Sequence, residues 1–341
     1  MKTFHKTLIK ALAGASLLCA AGLVQAEVKE LRIIASGGTS AESIKEAYIK
    51  PFTERTGIKV SIESPTSLGK LQAMVTSGQV DNVLVELGAT NVSQARALDQ
   101  IEDLDWDLID PEPMFPEARL DDAFGYQYFS TILSWAKGTE PMESWEDFWN
   151  VEDFPGKRSL PDYPGYTLPL ALMADGVKPD ELYPLDIERA FNSLEKIKDH
   201  VAVWWQAGAQ APQLLEDGEV KYAASWSGRV TDNPELEHNY NEGLLQLAYF
   251  VVPKGAPADL KEAAMGLLHE MSKASNQSIA IDIIPYTGAS PDIDEELPAD
   301  KIHLYPTTEE NRKVQTLGDP DWTAENAKEI ERRWQEFKLG L

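Results

Sequence analysis

The amino-acid sequence predicts an α/β protein of two domains, each a central, mostly parallel sheet flanked by helices. Three strand–turn–helix units follow one another between Leu31 and Gln100, and strands joined by helical crossovers pair in parallel. From Glu27 to Leu341 there is chain enough for about two domains of ordinary size. No apolar run in that stretch is long enough to cross a bilayer, so its hydrophobic residues are expected to line folded cores.

The first residues have another character. Lys2, Lys6 and Lys10 precede an apolar run from Ala11 to Val24, and Val24-Gln25-Ala26 offers small residues before Glu27. This is the pattern of an export signal cleaved after Ala26, and the run is too short to span a membrane comfortably. The single cysteine, Cys19, lies inside it behind Leu18, which is too bulky for a lipoprotein site. The chain from Glu27 onward therefore has no thiol for a disulfide, a nucleophile or a metal site. The formal charge of −25 includes three leader lysines and no leader acid, so the chain from Glu27 onward carries −28. Such a surface repels nucleic-acid phosphate and anionic lipid, and it leaves the sign of a buried cleft open.

In the first domain LRIIAS (31–36) turns through Gly37-Gly38-Thr39-Ser40 into a helix with Ile44, Tyr48 and Phe52 at helical spacing. KVSIES (59–64) leads through Pro65-Thr66-Ser67 into LGKLQAMVTSG, and NVLVELG (82–88) leads through Ala89-Thr90 into NVSQARALDQ. Each strand end thus carries hydroxyls beside a helix start: Ser36 with Thr39, Thr66 with Ser67, and Thr90. Any one of them is most simply a helix cap, while three on one sheet edge form a polar wall that also suits a ligand. Gly38 permits close backbone approach there. After an acidic, proline-rich segment (101–124), the apolar run Tyr126–Trp135 is expected to make the first crossing between domains, with Tyr126, Tyr128 and Phe129 near the cleft.

The second domain opens with the helix SWEDFWN, the strand KRSLPD (157–162), the turn Tyr163-Pro164-Gly165-Tyr166 and the helix TLPLALMADG. IERAFNSLEKIKDHV has strong amphipathic spacing. It leads into VWWQAGAQAPQLLEDGEVKYAASWSGRV (203–230), which reads as strand, glycine turn, helix and strand in one unit. That unit delivers Trp226, free backbone amides and Arg229 to the carboxyl ends of neighbouring strands, where open α/β sheets bind ligands. Leu244–Pro253 is the expected return strand. Helices over Asp259–Ser272 and Ser275–Ile283 follow, a third crossing comes beyond Tyr305, and a final helix over Ala324–Lys338 is expected to pack on the second domain. The expected division is 27–133 with about 251–304, and 134–250 with about 305–341.

The run WWxxGxQxxxLLxDGEVxxAxxWxGR resembles the solute-binding proteins of ABC importers, in the branch that holds the spermidine/putrescine binders. KPFTERTGIKV (50–60) and WTAENAKEIERRWQEF (322–337) resemble the same family near the two ends. The resemblance implies a type II periplasmic-binding fold with its ligand cleft between the domains, a small-molecule solute, a membrane permease with its cytoplasmic ATPase, and no cofactor. It also implies a periplasmic monomer that does not insert in the membrane once the leader is cleaved. It places Trp226 at an aromatic position of the site and Pro285-Tyr286-Thr287-Gly288 near the cleft. Gln210 belongs to the same motif.

Catalytic chemistry finds little support. The four histidines beyond the leader, His200, His238, His269 and His303, lack a zinc spacing, and no GxSxG, phosphate loop or dinucleotide fingerprint is present. Ferric-ion capture on the same architecture would need clustered tyrosines, which the sequence does not arrange convincingly, and it stays a remote option. Recognition fits better, since an indole offers a flat wall and Arg229 a bidentate fork for a carboxylate, although Arg229 is equally well placed to pair with Asp232. On an alternating strand only one of Trp204 and Trp205 can face the cleft, and Trp205 is carried as the candidate. Where polyamine binders carry acids, this chain has Tyr166 and Gln246-Leu247-Ala248. Burying a dication without carboxylates is expensive. A carboxylate-bearing or zwitterionic solute is therefore expected, with a polyamine as the alternative resting on Glu86 and Asp162. A secreted enzyme and a ligand carrier for a chemoreceptor are more remote readings. The candidate ligand shell is Ser36, Gly38, Thr39, Thr66, Ser67, Thr90, Tyr128, Tyr166, Trp205, Gln210, Trp226, Arg229 and Tyr286, with no metal site. Driving closure from mostly open to mostly shut would need about 5 kcal/mol of differential binding.

Overall fold

Eight strands form one continuous path of order β2-β1-β3-β10-β6-β9-β7-β8 in a computed structural model that describes residues 28–340. The expected leader and Cys19 lie outside the described residues. The strands are β1 (Glu30–Ile34), β2 (Lys59–Glu63), β3 (Leu84–Gly88), β4 (Ile101–Glu102), β5 (Arg119–Leu120), β6 (Ala123–Ala136), β7 (Arg158–Pro161), β8 (Val201–Trp205), β9 (Tyr222–Trp226), β10 (Leu236–Pro253) and β11 (Thr316–Leu317). On one wing β1 pairs in parallel with β2 and β3, and on the other β7 pairs in parallel with β8 and β9. The two long strands between the wings are antiparallel to their neighbours.

Each wing buries side chains on both faces because helices cover both. On the first wing one cluster gathers Leu31, Ile33, Leu84 and Phe250 with Met265 and Leu268 of the helix Ala258–Ser272. The opposite face holds Ile34, Val85, Leu87 and Tyr249 with Leu71 and Val92 of the helices Leu68–Ser77 and Ala89–Ala97. The second wing packs Leu160, Tyr222 and Ala224 against the helices Pro164–Ala174, Ile187–Ile197 and Pro320–Leu339. Its other face packs Trp205 and Ala223 on Leu215. Among the described residues no helix is long and apolar enough to cross a membrane.

Two strands exceed their expected lengths. β10 begins at Leu236, eight residues before Leu244, through a polar stretch with no apolar alternation to announce it. Its pairing with β6 is interrupted between Asn239 and Leu244, and again between Ala248 and Tyr249. At the second break Ala248 stands opposite Gln127 and Tyr249 opposite Gly125, so Tyr126 is the extra residue of a bulge. That one residue reverses the alternation of β6. Tyr126 lies in the cluster with Ile33 and Phe250, whereas Tyr128 joins Leu87 and Tyr249 on the other face. The last helix starts at Pro320, earlier than expected, with Asp319 accepting from the Trp322 amide as its cap. Ile330, Trp334 and Phe337 seat it on the second wing.

Candidate ligand cleft

β9 ends at Trp226, and five aromatic rings meet there. The indole stacks on Tyr163 (centroids 6.0 Å apart, interplanar angle 23°). It meets Trp205, Phe129 and Tyr166 edge-on at 5.1, 5.7 and 6.4 Å. The fit depends on Gly208 of the QAGAQ turn, where a β-carbon would overlap the Trp226 ring. Trp205 is 0% exposed and its Nε1 donates to the Ala224 carbonyl at 2.9 Å, so it forms the floor beneath Trp226. Trp204 points the other way, onto Trp334 and Phe337. The Trp226 Nε1 is buried and has no hydrogen-bond partner.

A sixth ring, Tyr286, lies 5.7 Å from Phe129 and packs on Gly228, where again a β-carbon would overlap it. Burial pushes its hydroxyl up, and the adjacent Arg229 guanidinium pulls the other way. Burial likewise pushes Tyr166 up to about 12. Arg229 is exposed, and among the described residues no ion pair includes it, so the alternative of a pair with Asp232 is not realised.

The carboxyl edge of the first wing is built differently. Glu86 on β3 is buried and accepts from the Ser36 amide at 2.6 Å and the Ser36 hydroxyl at 2.7 Å. The Thr66 hydroxyl donates to the Glu86 carbonyl. One residue thus ties all three strand ends together. Burial pushes the Glu86 carboxyl up, against the pull of the Ser36 hydrogen bonds. Ser67 caps its helix by accepting from the Lys70 amide at 3.1 Å, and Gly38 and Thr39 are exposed. Across the cleft Asp162 is engaged as well. It accepts from Trp334 Nε1 and Gln206 Nε2, both at 2.8 Å, and pairs with Lys338. Burial would raise the Asp162 carboxyl, but the bonds from Gln206, Lys338 and Trp334 hold it below its ordinary value.

A cavity of about 460 Å³ opens between the wings, bounded by the start of the helix Ala89–Ala97, the turn Tyr163–Tyr166, residues 244–247 of β10 and one face of the helix Pro320–Leu339. Of the expected shell, Thr90 and Tyr166 line it. Trp226 and Tyr286 stand one layer behind its Phe129 and Tyr163 wall. Gln210 is turned to its own loop, its Oε1 accepting from the Gln206 and Ala207 amides at 2.7 and 2.9 Å. Tyr128 is 0% exposed with its hydroxyl 2.6 Å from Glu117 Oε1, and Phe129 faces the cavity in its place. The bulge at Tyr126 is the cause of that exchange, and strand alternation read without it cannot supply the right ring. Tyr163 and Gln246 also line the cavity. Tyr163 shares its turn with Tyr166, and Gln246 is paired opposite Phe129, so both were within reach of pattern reading.

A parallel-winged sheet pinned by two crossing strands, with an aromatic cleft at its carboxyl edge, has the architecture of a solute receptor of the type II periplasmic-binding fold, and solved structures of that class superpose on it. Residues 47–308 match the bacterial extracellular solute-binding proteins, and the chain belongs to that family as the substrate-binding component of an ABC transporter. A gamma-aminobutyric acid-binding protein of Pseudomonas aeruginosa is 30% identical over 93% of this chain and 93% of its own. The spermidine/putrescine-binding periplasmic protein of Escherichia coli is 24% identical over 82% of this chain and 84% of its own. A solved structure of a GABA receptor is 29% identical, with a TM-score of 0.84 over 91% of this chain and 97% of the other.

Proposed function

We propose that the protein captures a small zwitterion of the γ-aminobutyric acid type and delivers it to a membrane permease with its cytoplasmic ATPase. One observation carries this reading: an aromatic cluster with a guanidinium beside it that has no acid partner, while Glu86 and Asp162, the acids on which a polyamine reading rests, are already engaged. Arg229, beside Tyr286 and outside the cavity lining, has no acid partner and can take a carboxylate, and the rings of Phe129, Tyr163 and Tyr166, which line the cavity, offer faces to an ammonium. A polyamine needs two anionic partners. Asp162 is held by Lys338, Trp334 and Gln206, and Glu86 by Ser36. Of the acids lining the cavity, Glu117 is paired with Arg312, Asp321 with Arg96 and Ser93, and Asp319 caps its helix, which leaves Glu331 as a single anionic partner. The likeness to two GABA-binding proteins supports the same choice.

In this proposal Thr90, Tyr166, Trp226, Arg229 and Tyr286 belong to the ligand shell, joined by Phe129 and Tyr163. Ser36, Gly38, Thr39, Thr66, Ser67, Tyr128, Trp205 and Gln210 shape it from behind or from the loops. The lobes divide at 27–133 with about 251–304 and 134–250 with about 305–341. The protein works in the periplasm as a monomer, cut after Ala26 and free of the membrane, by closing on its solute without turning it over. Titration calorimetry of the exported protein with GABA, propionate, putrescine and spermidine tests this. GABA is expected to bind, with Arg229→Ala weakening it on the order of a hundredfold, as loss of one partner of a desolvated charge pair does. Putrescine binding that survives Arg229→Ala would instead establish a polyamine receptor.

A further inference from the structure

The cavity is larger than a four-carbon solute requires. Its volume is about 460 Å³. γ-Aminobutyric acid has seven heavy atoms and an extended reach of about 5 Å between its nitrogen and carboxyl carbon. On one side the wall is a single helical face, Pro320, Thr323, Ala327, Ile330 and Glu331, which at 1.5 Å per residue runs about 16 Å. Val92, Leu247, Tyr183 and Leu317 continue the apolar lining. The lining thus includes aromatic rings, Phe129, Tyr163 and Tyr166, and an apolar arm along the helical face. At one end of the helical face Asp321 accepts from the Ser93 hydroxyl at 2.6 Å and pairs with Arg96, and at the other end the exposed carboxylate of Glu331 makes no ion pair among the described residues.

We propose that the preferred solute is an ω-amino carboxylic acid longer than four carbons, whose methylene chain lies against Ala327 and Ile330 and whose ammonium extends past the aromatic rings to the carboxylate of Glu331. This rests on the zwitterion reading above and names its chain length. Each methylene transferred from water to an apolar wall tightens binding by about fourfold. Beyond the length of the arm the series must turn, since the next methylene has no wall to meet.

The test is a calorimetric series on the exported protein with unbranched ω-amino acids of four to eight carbons, repeated with Ala327→Leu. The expected result is a dissociation constant that falls about fourfold per carbon between four and six or seven. In Ala327→Leu, which fills the arm from a helical position that accepts leucine, the longer members should weaken at least tenfold more than GABA does. Affinity that falls steadily from four carbons upward overturns the inference and leaves the zwitterion reading standing. Equal weakening of all members by Ala327→Leu also overturns it. If no member of the series binds, both the inference and the reading beneath it are wrong. The wild-type series decides the matter even if the variant folds poorly, which a thermal melt detects.

Discussion

The two walls of the cleft hold their polar groups in opposite ways. On the first wing the hydroxyls and acid at the strand ends satisfy one another: Ser36 is bound to Glu86, Thr66 to the Glu86 carbonyl, and Ser67 to its own helix. At the end of β9 on the second wing two groups do not: Trp226 keeps a buried indole donor without a partner and Arg229 lacks an acid, although Asp162, Tyr163 and Trp205 beside them are hydrogen-bonded. A wall that has already paired its groups gains little from a ligand, whereas one with unpaired groups gains a great deal. Discrimination among solutes should therefore reside in the second wing, and the first should act as a rigid face against which it closes.

The sharpest way to break this contrast is to remove the indole. Trp226→Ala is expected to weaken solute binding by thirtyfold or more, because it deletes a ring that packs on four others. Calorimetry reads the effect directly, and a loss below threefold would contradict it. Next in size is Gly208→Ala. Its methyl group has no room beneath Trp226, so the indole must shift, with an expected cost of about 1–3 kcal/mol in stability. A denaturant melt measures the cost, and displaced near-ultraviolet circular dichroism should accompany it.

The first wing should respond less. Ser36→Ala is expected to change solute affinity by less than threefold while lowering stability by about 1 kcal/mol, the scale of one hydrogen bond. Glu86→Gln sharpens the point through pH. The folded-state pKa of Glu86 is raised above its unfolded value, so its contribution is fully present below the ordinary glutamate range of about 4.3 and is lost as pH rises through the folded value. Unfolding free energies of wild type and Glu86→Gln, compared from pH 4 to pH 7, should move in favour of the variant as pH rises. A difference independent of pH would mean that Glu86 is not held as a raised-pKa carboxyl.

Much of this was legible in the sequence because the two periodicities are strong. β1, β2, β3 and β7 and the helices Ile187–Ile197 and Ala258–Ser272 fall close to where apolar spacing and turn residues put them. The segment that brings Trp226 and Arg229 to the end of β9 was readable for the same reason, since its glycine turn and helix stop are local chemistry. What failed to show was non-local. The N-terminal part of β10 is polar, and it is a strand only because β6 lies beside it. Which of Tyr128 and Phe129 faces the cavity depends on the bulge at Tyr126, a property of the pairing rather than of either residue type. The engagement of Asp162 rests on Trp334 and Lys338, more than 170 residues away, and no spacing rule reaches that far.

The place of β10 in the sheet also governs how the chain reaches this state. β3, at residues 84–88, finds its second neighbour only in residues 248–251, so the first wing stays open at one edge until almost the whole second wing exists. A hydrophobic sheet edge that waits for a partner some 160 residues downstream makes for slow closure, because loop entropy is lost before long-range contacts compensate it. Neither wing can complete itself from a continuous piece of chain. The nascent polypeptide therefore remains unfolded for longer than a chain of local contacts would.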